Sequence, residues 1–413
     1  MDKIDKNYHT IKECRISNSK DLTKVLDLGL QPLANSLKKK QYEDENKYPL
    51  TLSYCEKSSL LQLNETINKE ILFNKYVWVS STSSTTKNYA NTFFSNITQN
   101  IQLEKNNDLI IEIASNDGTF LKPFMNNGFK KVIGVDPAKN ICDLANKKNI
   151  YTINAYWNEE CSKNIEKKYG KAKLIIARNV IPHVSELNSV ISGVEKILSD
   201  DGIGIFEMHD ANIIFNELHY DSVYHEHLCF FTLKSITYLL NKFNLYPFEI
   251  KKSPISGGSL VIYFSKKKNV VSKDLELAMI NEENSKINNL ESWKKFALKV
   301  EDHREKMQKI LTNYSTKKIV GFGSSARSQT FLNYCNFNEK NIDMIIDNNS
   351  IKQNLYSPGT NIKIVDFNTG LNFHPDVIFI LAWNFKDEII NLCKSNGYKG
   401  EYLVSFPNKP YIL

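Results

Sequence analysis

Two hydrophobic rhythms alternate along most of this chain. From Leu109 to about Ser265, short apolar runs (LIIEI, KVIGV, LIIAR, GIGIFEM and SLVIYFS) are separated by segments with helical spacing. That alternation predicts the buried strands of a parallel α/β sheet. SLVIYFS follows the helical LKSITYLLNKF without a crossover helix, so it is expected as an added antiparallel edge. Residues 1 to about 75 instead carry shorter strand-like runs (LTLSYC, LLQL) with turns and little helical periodicity. Residues 272–315 contain neither Pro nor Gly, and ESWKKFALKVEDHREKMQKIL predicts a long amphipathic helix or a helical pair. Its Trp293, Phe296 and Val300 stripe reads as packing. A second α/β unit follows through KIVGFG, IDMIID, DVIFILAW and EYLVSF. The expected organisation is a small domain at 1–75, a central α/β domain at 76–270, a helical linker at 271–315 and a C-terminal α/β domain at 316–413.

The breaks between strands put polar residues at the carboxyl edge of the central sheet, where open α/β sheets bind ligands. LIIEIASNDGTFL reads as a strand, a turn at Ser115-Asn116-Asp117-Gly118, and a helix start. Glu112 falls inside the strand, where a buried carboxylate needs a partner. Asp136 ends the next strand, 24 residues after Glu112, placed to accept hydrogen bonds from ribose hydroxyls. This pairing suits S-adenosylmethionine, which needs no pyrophosphate cradle; an ordinary strand-turn-helix with a capping Asp is the plainer alternative. Asn179 and His183 follow the strand LIIAR on the same edge.

Composition narrows the partners. At 413 residues the chain exceeds one core, and 41% hydrophobic content is that of an ordinary globular protein. The net charge of +7 comes from scattered lysines, with no basic block interleaved with aromatics. Nucleic acid is therefore not an expected partner, whereas an anionic small molecule such as a nucleotide diphosphate is. No apolar stretch is long enough to span a bilayer, and MDKIDKNYHTIKEC has no signal-peptide core. Seven irregularly spaced cysteines imply no disulfide framework, so a reducing cytoplasm is expected; a monomer is the default.

The most unusual stretch is Tyr224-His225-Glu226-His227, between the apolar Val223 and Leu228. Four polar side chains in a row suit proton transfer, because His titrates nearest neutrality. A solvated, His-rich loop is the alternative. Further on, Gly321-Phe322-Gly323-Ser324-Ser325-Ala326 follows a strand and opens a helix, and Asp347 ends the next strand 24 residues after Gly323. Read alone, this is a dinucleotide fingerprint and would suggest an NAD-dependent oxidoreductase.

Taken together, the residues resemble the S-adenosylmethionine-dependent sugar C-methyltransferases that act on nucleotide-linked ketosugars. The likeness runs through LDLGLQPLANS, YPLTLSYC, YVWVSSTSS, EIASNDGTFL, RNVIPHV, FEMHDA, YDSVYHEHL, SGGSL, GFGSSARSQTFLNYC, IDNNSIKQN, SPGT and LAWNF, in family order over nearly the whole chain. It implies a small N-terminal zinc-binding domain, a central Rossmann-like methyltransferase domain and a C-terminal Rossmann-like domain that helps hold the nucleotide sugar. By position, His227 matches the general base, with Tyr224 and Glu226 beside it, and His183 and Tyr76 match further active-site positions. The cofactor positions are Glu112, Ser115, Asn116, Asp117, Gly118, Asp136 and Asn179. The substrate positions are Ser256, Gly257, Gly258, Ser259, Gly323, Ser324, Ser325, Arg327, Asp347 and Trp383. The resemblance implies that His227 takes the proton beside the ketone of a 4-ketosugar, that Tyr224 or His183 donates to the enolate oxygen, and that the enolate takes the methyl group. Glu226 would orient His227 or contact the sugar. If the tetrad is extended, Tyr224 and Glu226 share one side and His225 and His227 the other. Sugar O-methylation and a non-catalytic relic remain alternatives.

One departure is plain. The family's zinc site is a pair of Cys-x-x-Cys knuckles, and here they read Cys14-Arg15-Ile16-Ser17 and Cys55-Glu56-Lys57-Ser58. Two thiolates do not close a structural tetrahedron, so the domain is expected to fold without zinc. Ala114 stands where a glycine is usual, narrowing the turn near the cofactor, and Val261 where an Arg is usual, which bears on the choice of substrate.

Overall fold

The computed structural model describes residues 7–73, 79–82, 84–253 and 258–413. Tyr76, Trp78, Ser256 and Gly257 lie outside the described residues.

The N-terminal strands are β1 (Tyr8–Thr10), β2 (Thr23–Pro32), β3 (Lys47–Cys55), β4 (Leu60–Leu63) and β5 (Glu65–Ile67). β1 pairs with β5, and β2, β3 and β4 form an antiparallel meander. The central strands are β6 (Leu109–Ile113), β7 (Lys131–Asp136), β8 (Thr152–Asn154), β9 (Ala172–Arg178) and β10 (Leu198–His209). All five run parallel in the order β10-β9-β6-β7-β8. Each apolar run expected as a strand is one, because only a run buried on both faces keeps residues such as Ile110, Ile111, Ile175 and Ile176 out of water.

Two strand placements depart from expectation. The two-residue β11 (Cys229–Phe230) leaves the central region and pairs with β4, so it extends the N-terminal sheet. Beyond it, β12 (Tyr246–Ser253) and β13 (Ser259–Ser265) are antiparallel additions, with β13 between β10 and β12. SLVIYFS is therefore antiparallel as expected but interior, every residue of it buried. The edge is β12, which YPFEIKKS concealed because an edge strand with exposed lysines alternates poorly. Glu207 in β10 faces Val261 in β13 in register.

Residues 272–315 form a helical pair, Lys273–Ser285 and Leu290–Asn313, with Lys286 left-handed (φ 56°) ending the first and Asn289 capping the second. Trp293, Phe296 and Val300 are buried, and Trp293 meets Phe215 edge-on with ring centroids 5.1 Å apart. The C-terminal strands β14 (Ile319–Phe322), β15 (Met344–Ile346), β16 (Ile364–Val365), β17 (Val377–Ile380), β18 (Glu401–Val404) and β19 (Tyr411–Ile412) form a second sheet, ordered β16-β15-β14-β17-β18-β19 and parallel except at β19. One continuous core joins Leu52 and Leu61 of the first sheet to Phe206, Trp293 and Phe331. Among the described residues no helix is long and apolar enough to cross a membrane.

Candidate active site

At the carboxyl end of β6 the chain turns sharply. Ala114, Asn116 and Gly118 all have left-handed φ (53°, 51° and 76°). The backbone N–H groups of Asn116 and Ala138 donate to the two carboxylate oxygens of Asp136, at 3.0 and 2.9 Å. Each oxygen keeps a further lone pair for a ribose hydroxyl. Burial pushes the Asp136 carboxyl up, and those two amides oppose the shift. Asp117 is spent on the turn itself: it accepts from Lys148 Nζ and from the Thr119 hydroxyl, both at 2.6 Å. Its burial favours the neutral acid, but the Lys148 hydrogen bond, with those of Ser81 and Thr119, holds the carboxyl below its usual range. Asn116 likewise turns its Oδ1 to the backbone N–H groups of Ser80 and Asp117.

Glu112 is buried, and its Oε2 has no partner among the described residues; Ser115 Oγ beside it is orphaned too. Burial raises the Glu112 carboxyl to about 8, against the pull of Arg178. Orphaned buried acceptors at the end of the first parallel strand, with Asp136 one strand over, fit S-adenosylmethionine. Asn179, left-handed at φ 50°, lies beyond β9 and donates its N–H to the Glu207 carbonyl at 2.7 Å. Next to it stands a polar group that the sequence reading missed. Arg178 Nε donates to Glu207 at 2.7 Å, Ser253 donates to the same carboxylate at 2.6 Å, and the guanidinium lies 3.2 Å from the centre of the Phe120 ring. The available signal was a charged residue within each of two apolar runs, Arg178 at the end of LIIAR and Glu207 near the end of GIGIFEM.

The tetrad is a turn, not an extended segment. The His227 N–H donates to the Tyr224 carbonyl at 2.8 Å, which brings residues 224 and 227 to the same side. The Tyr224 hydroxyl lies 2.7 Å from His227 Nε2, and His227 Nδ1 lies 2.8 Å from the Ser222 carbonyl. A carbonyl only accepts, so Nδ1 carries the proton and Nε2 offers its lone pair to Tyr224. Burial, reinforced by the neighbouring His183, holds the His227 imidazole well below its usual pKa. The partner that orients His227 is thus Ser222, not Glu226, whose carboxylate accepts from Asn35 Nδ2 at 2.6 Å and is pushed up by burial.

His183 joins this group, its ring 4.8 Å from that of His227. Its Nδ1–H is taken by the Glu226 carbonyl at 2.6 Å, and burial lowers its pKa. The Nδ1 proton of His183 is therefore engaged by a backbone carbonyl. His225 points the other way: Nε2 donates to the Pro49 carbonyl at 3.1 Å, and burial drops its pKa to about 4. The N-terminal region thus holds the turn through Asn35 and Pro49, and the strand after it through β4.

The C-terminal glycine turn is held by its own hydrogen bonds. The Gly323 N–H donates to the Ile346 carbonyl (2.8 Å), that of Ser324 to Asp347 (2.9 Å), and that of Ser325 to the Ser328 hydroxyl (3.3 Å). A Cβ on Gly323 would lie 2.4 Å from that of Ala382, so glycine is required for packing. Asp347 also accepts from the Asn349 N–H, and Lys352 Nζ reaches the Ser324 carbonyl at 2.6 Å. These bonds fix the shape of the turn and hold Asp347 against it, one backbone N–H on each carboxylate oxygen. Arg327 and Trp383 both face Asp221. Gly258 (φ 117°) packs on Ile213, and Ser259 is buried opposite His209 in the β10–β13 register.

In the N-terminal domain the two knuckles do converge. Cys14 Sγ lies 3.1 Å from Ser58 Oγ, and Ser17 Oγ 3.5 Å from Cys55 Sγ. Each knuckle is followed by a left-handed residue, Asn18 and Ser59, both at φ 55°. Two thiols and two hydroxyls do not fit structural zinc. Among the described residues no three His, Cys, Asp or Glu side chains are grouped to hold a metal ion.

The parallel sheet with its antiparallel addition, the acid-lined turn after β6 and the orphaned acceptors beside it define a methyltransferase dependent on S-adenosylmethionine. Three family models tile the chain: "Putative zinc binding domain" over residues 14–73, "Methyltransferase domain" over 86–249, and "C-methyltransferase C-terminal domain" over 254–407. C-methyltransferase NovU from Streptomyces niveus is 27% identical over 410 residues, covering 96% of each chain. Among solved structures, the PH0226 protein from Pyrococcus horikoshii is 16% identical, covering 48% of this chain and 98% of its own, with a TM-score of 0.36. The magnesium protoporphyrin IX methyltransferase ChlM from Synechocystis, solved with bound SAM, is 11% identical, covering 44% and 80%, with a TM-score of 0.34. The chain belongs to the C-methyltransferase family that these models together describe.

Proposed function

We propose that this enzyme methylates carbon on a nucleotide-linked 4-ketosugar by way of a base-generated enolate. The observation that carries the reading is the Ser222–His227–Tyr224 chain, which fixes the tautomer of a neutral imidazole. Carbon becomes nucleophilic only after a C–H proton leaves, and the proton beside a ketone is acidic enough for a positioned imidazole. In this scheme His227 Nε2 takes that proton, and the electron pair moves onto the ketone oxygen. The Tyr224 hydroxyl, released from Nε2, turns to donate to the developing enolate oxygen. The imidazolium formed is stabilised by the Ser222 carbonyl at Nδ1. Glu226, held by Asn35, stands ready for a sugar hydroxyl. Glu112, Ser115 and Asp136 hold S-adenosylmethionine, which supplies an electrophilic methyl group when bound.

Incubation with a panel of nucleotide 4-ketosugars in deuterium oxide tests this. Deuterium should enter at the carbon beside the ketone, and labelled methyl should appear at that carbon. Methyl transfer to oxygen without deuterium exchange would exclude the enolate. Thermal stabilisation by S-adenosylhomocysteine but not by NADH separates this reading from an oxidoreductase on the glycine turn.

A further inference from the structure

We infer that Asp221, Arg327 and Trp383 are positioning residues through which the C-terminal domain sets the hydrogen-bond geometry of His227. The inference rests on the reading of His227 as the base. Asp221 sits in the short 3-10 turn Tyr220–Ser222, immediately before the carbonyl that accepts from His227. Its carboxylate is buried, and the Arg327 fork holds both oxygens, Nε at 3.0 Å and Nη2 at 2.9 Å. The indole N–H of Trp383 donates to the same carboxylate at 2.9 Å, and the guanidinium lies 4.7 Å from that ring's centre. Arg327 opens the helix Ala326–Tyr334 after the glycine turn, and Trp383 follows β17, so both donors come from the second sheet's carboxyl edge.

The preceding residue is tied to the same side of the molecule. His303 Nε2 donates to the Ser405 carbonyl at 2.8 Å, so its Nδ1 accepts from the Tyr220 hydroxyl at 2.9 Å. Consecutive residues of one turn are thus anchored, Tyr220 through the helix Leu290–Asn313 and Asp221 through Arg327 and Trp383. The next residue, Ser222, fixes which ring nitrogen of His227 is protonated. A fork-to-fork Arg–carboxylate pair is directional as well as charged, so it locks the plane of the turn.

The test uses the whole enzyme with histidine labelled by ¹⁵N, and the His227→Asn variant to assign its signals. Wild type should show His227 as a single Nδ1–H tautomer. In Arg327→Met and Trp383→Phe these signals should shift toward mixed tautomers, with turnover at least tenfold lower and S-adenosylhomocysteine affinity within twofold of wild type. Arg327→Lys, which keeps the charge without the fork, should recover only part of the effect. Unchanged His227 signals in folded Arg327→Met overturn the inference; should that variant not fold, Trp383→Phe decides the question in the same way. Full turnover in His227→Asn would remove the base reading while leaving the tautomer measurement intact.

Discussion

The Nδ1–H of His227 is given to the carbonyl of Ser222 at 2.8 Å, and this one bond decides which face of the ring can do chemistry. In the proposed reaction the base is therefore Nε2, where the Tyr224 hydroxyl now rests.

His227→Asn should therefore reduce turnover by about 10²- to 10⁴-fold, the usual scale of a lost general base, without weakening S-adenosylhomocysteine binding. Tyr224→Phe should lower turnover and leave deuterium exchange partly intact, since it removes a donor and spares the base. The low pKa of His227 places the acid limb of kcat/KM below pH ~6.5. Steady-state rates across pH settle both points; an acid limb above neutrality would point to another group.

Stability should also depend on pH, with a defined sign. Burial holds His209 at about 3 and His219 and His225 at about 4. Unfolded histidine titrates near ~6.5, so above that pH both states are neutral and these residues add no pH dependence. Below it the unfolded chain binds the extra protons, and stability is lost as pH falls from ~6.5 toward ~4. Glu112 acts in reverse: its carboxyl, raised to about 8, keeps an extra proton in the folded state, a contribution full below ~4.5 and lost as pH rises from there to about 8. Urea midpoints of the ligand-free protein should fall between pH 6.5 and 4.5, and a flat profile would contradict buried neutral histidines.

The knuckles offer a gain-of-function test. Their thiols and hydroxyls already converge, and their left-handed turns at Asn18 and Ser59 are in place. Ser17→Cys with Ser58→Cys should give a protein that carries one zinc per chain, as measured by metal analysis, while the wild type carries none. A stoichiometric zinc in the wild type would defeat this account.

Ala114 holds φ at 53°, where a Cβ costs about 1 kcal/mol relative to glycine. Ala114→Gly should raise stability by up to ~1 kcal/mol in urea titration, offset by the greater freedom of the unfolded chain. A loss of stability would mean that the Ala114 methyl packs well enough to outweigh the backbone cost.

The strands were legible because runs such as LIIEI and LIIAR are buried on both faces. The tetrad was legible because four polar side chains between Val223 and Leu228 are costly without a purpose. Its geometry was not: alternation assumes an extended chain, and a tight turn brings Tyr224 and His227 together instead. Nor was the Asp221–Arg327 pair, which joins residues 106 positions apart and has no local pattern to announce it. Arg327 and Trp383 were assigned by position to substrate, and the structure turns both toward Asp221.

Two residues, Cys229 and Phe230, stitch the segment after the tetrad onto β4. The first sheet therefore cannot be removed or exchanged as a module. A chimaera that replaced residues 1–73 would carry off the strand partner of β11 along with the Asn35 and Pro49 contacts to the turn before it. Any successful graft has to transplant residues 224–230 together with the N-terminal sheet, and the two stretches should change in concert when this scaffold is diversified.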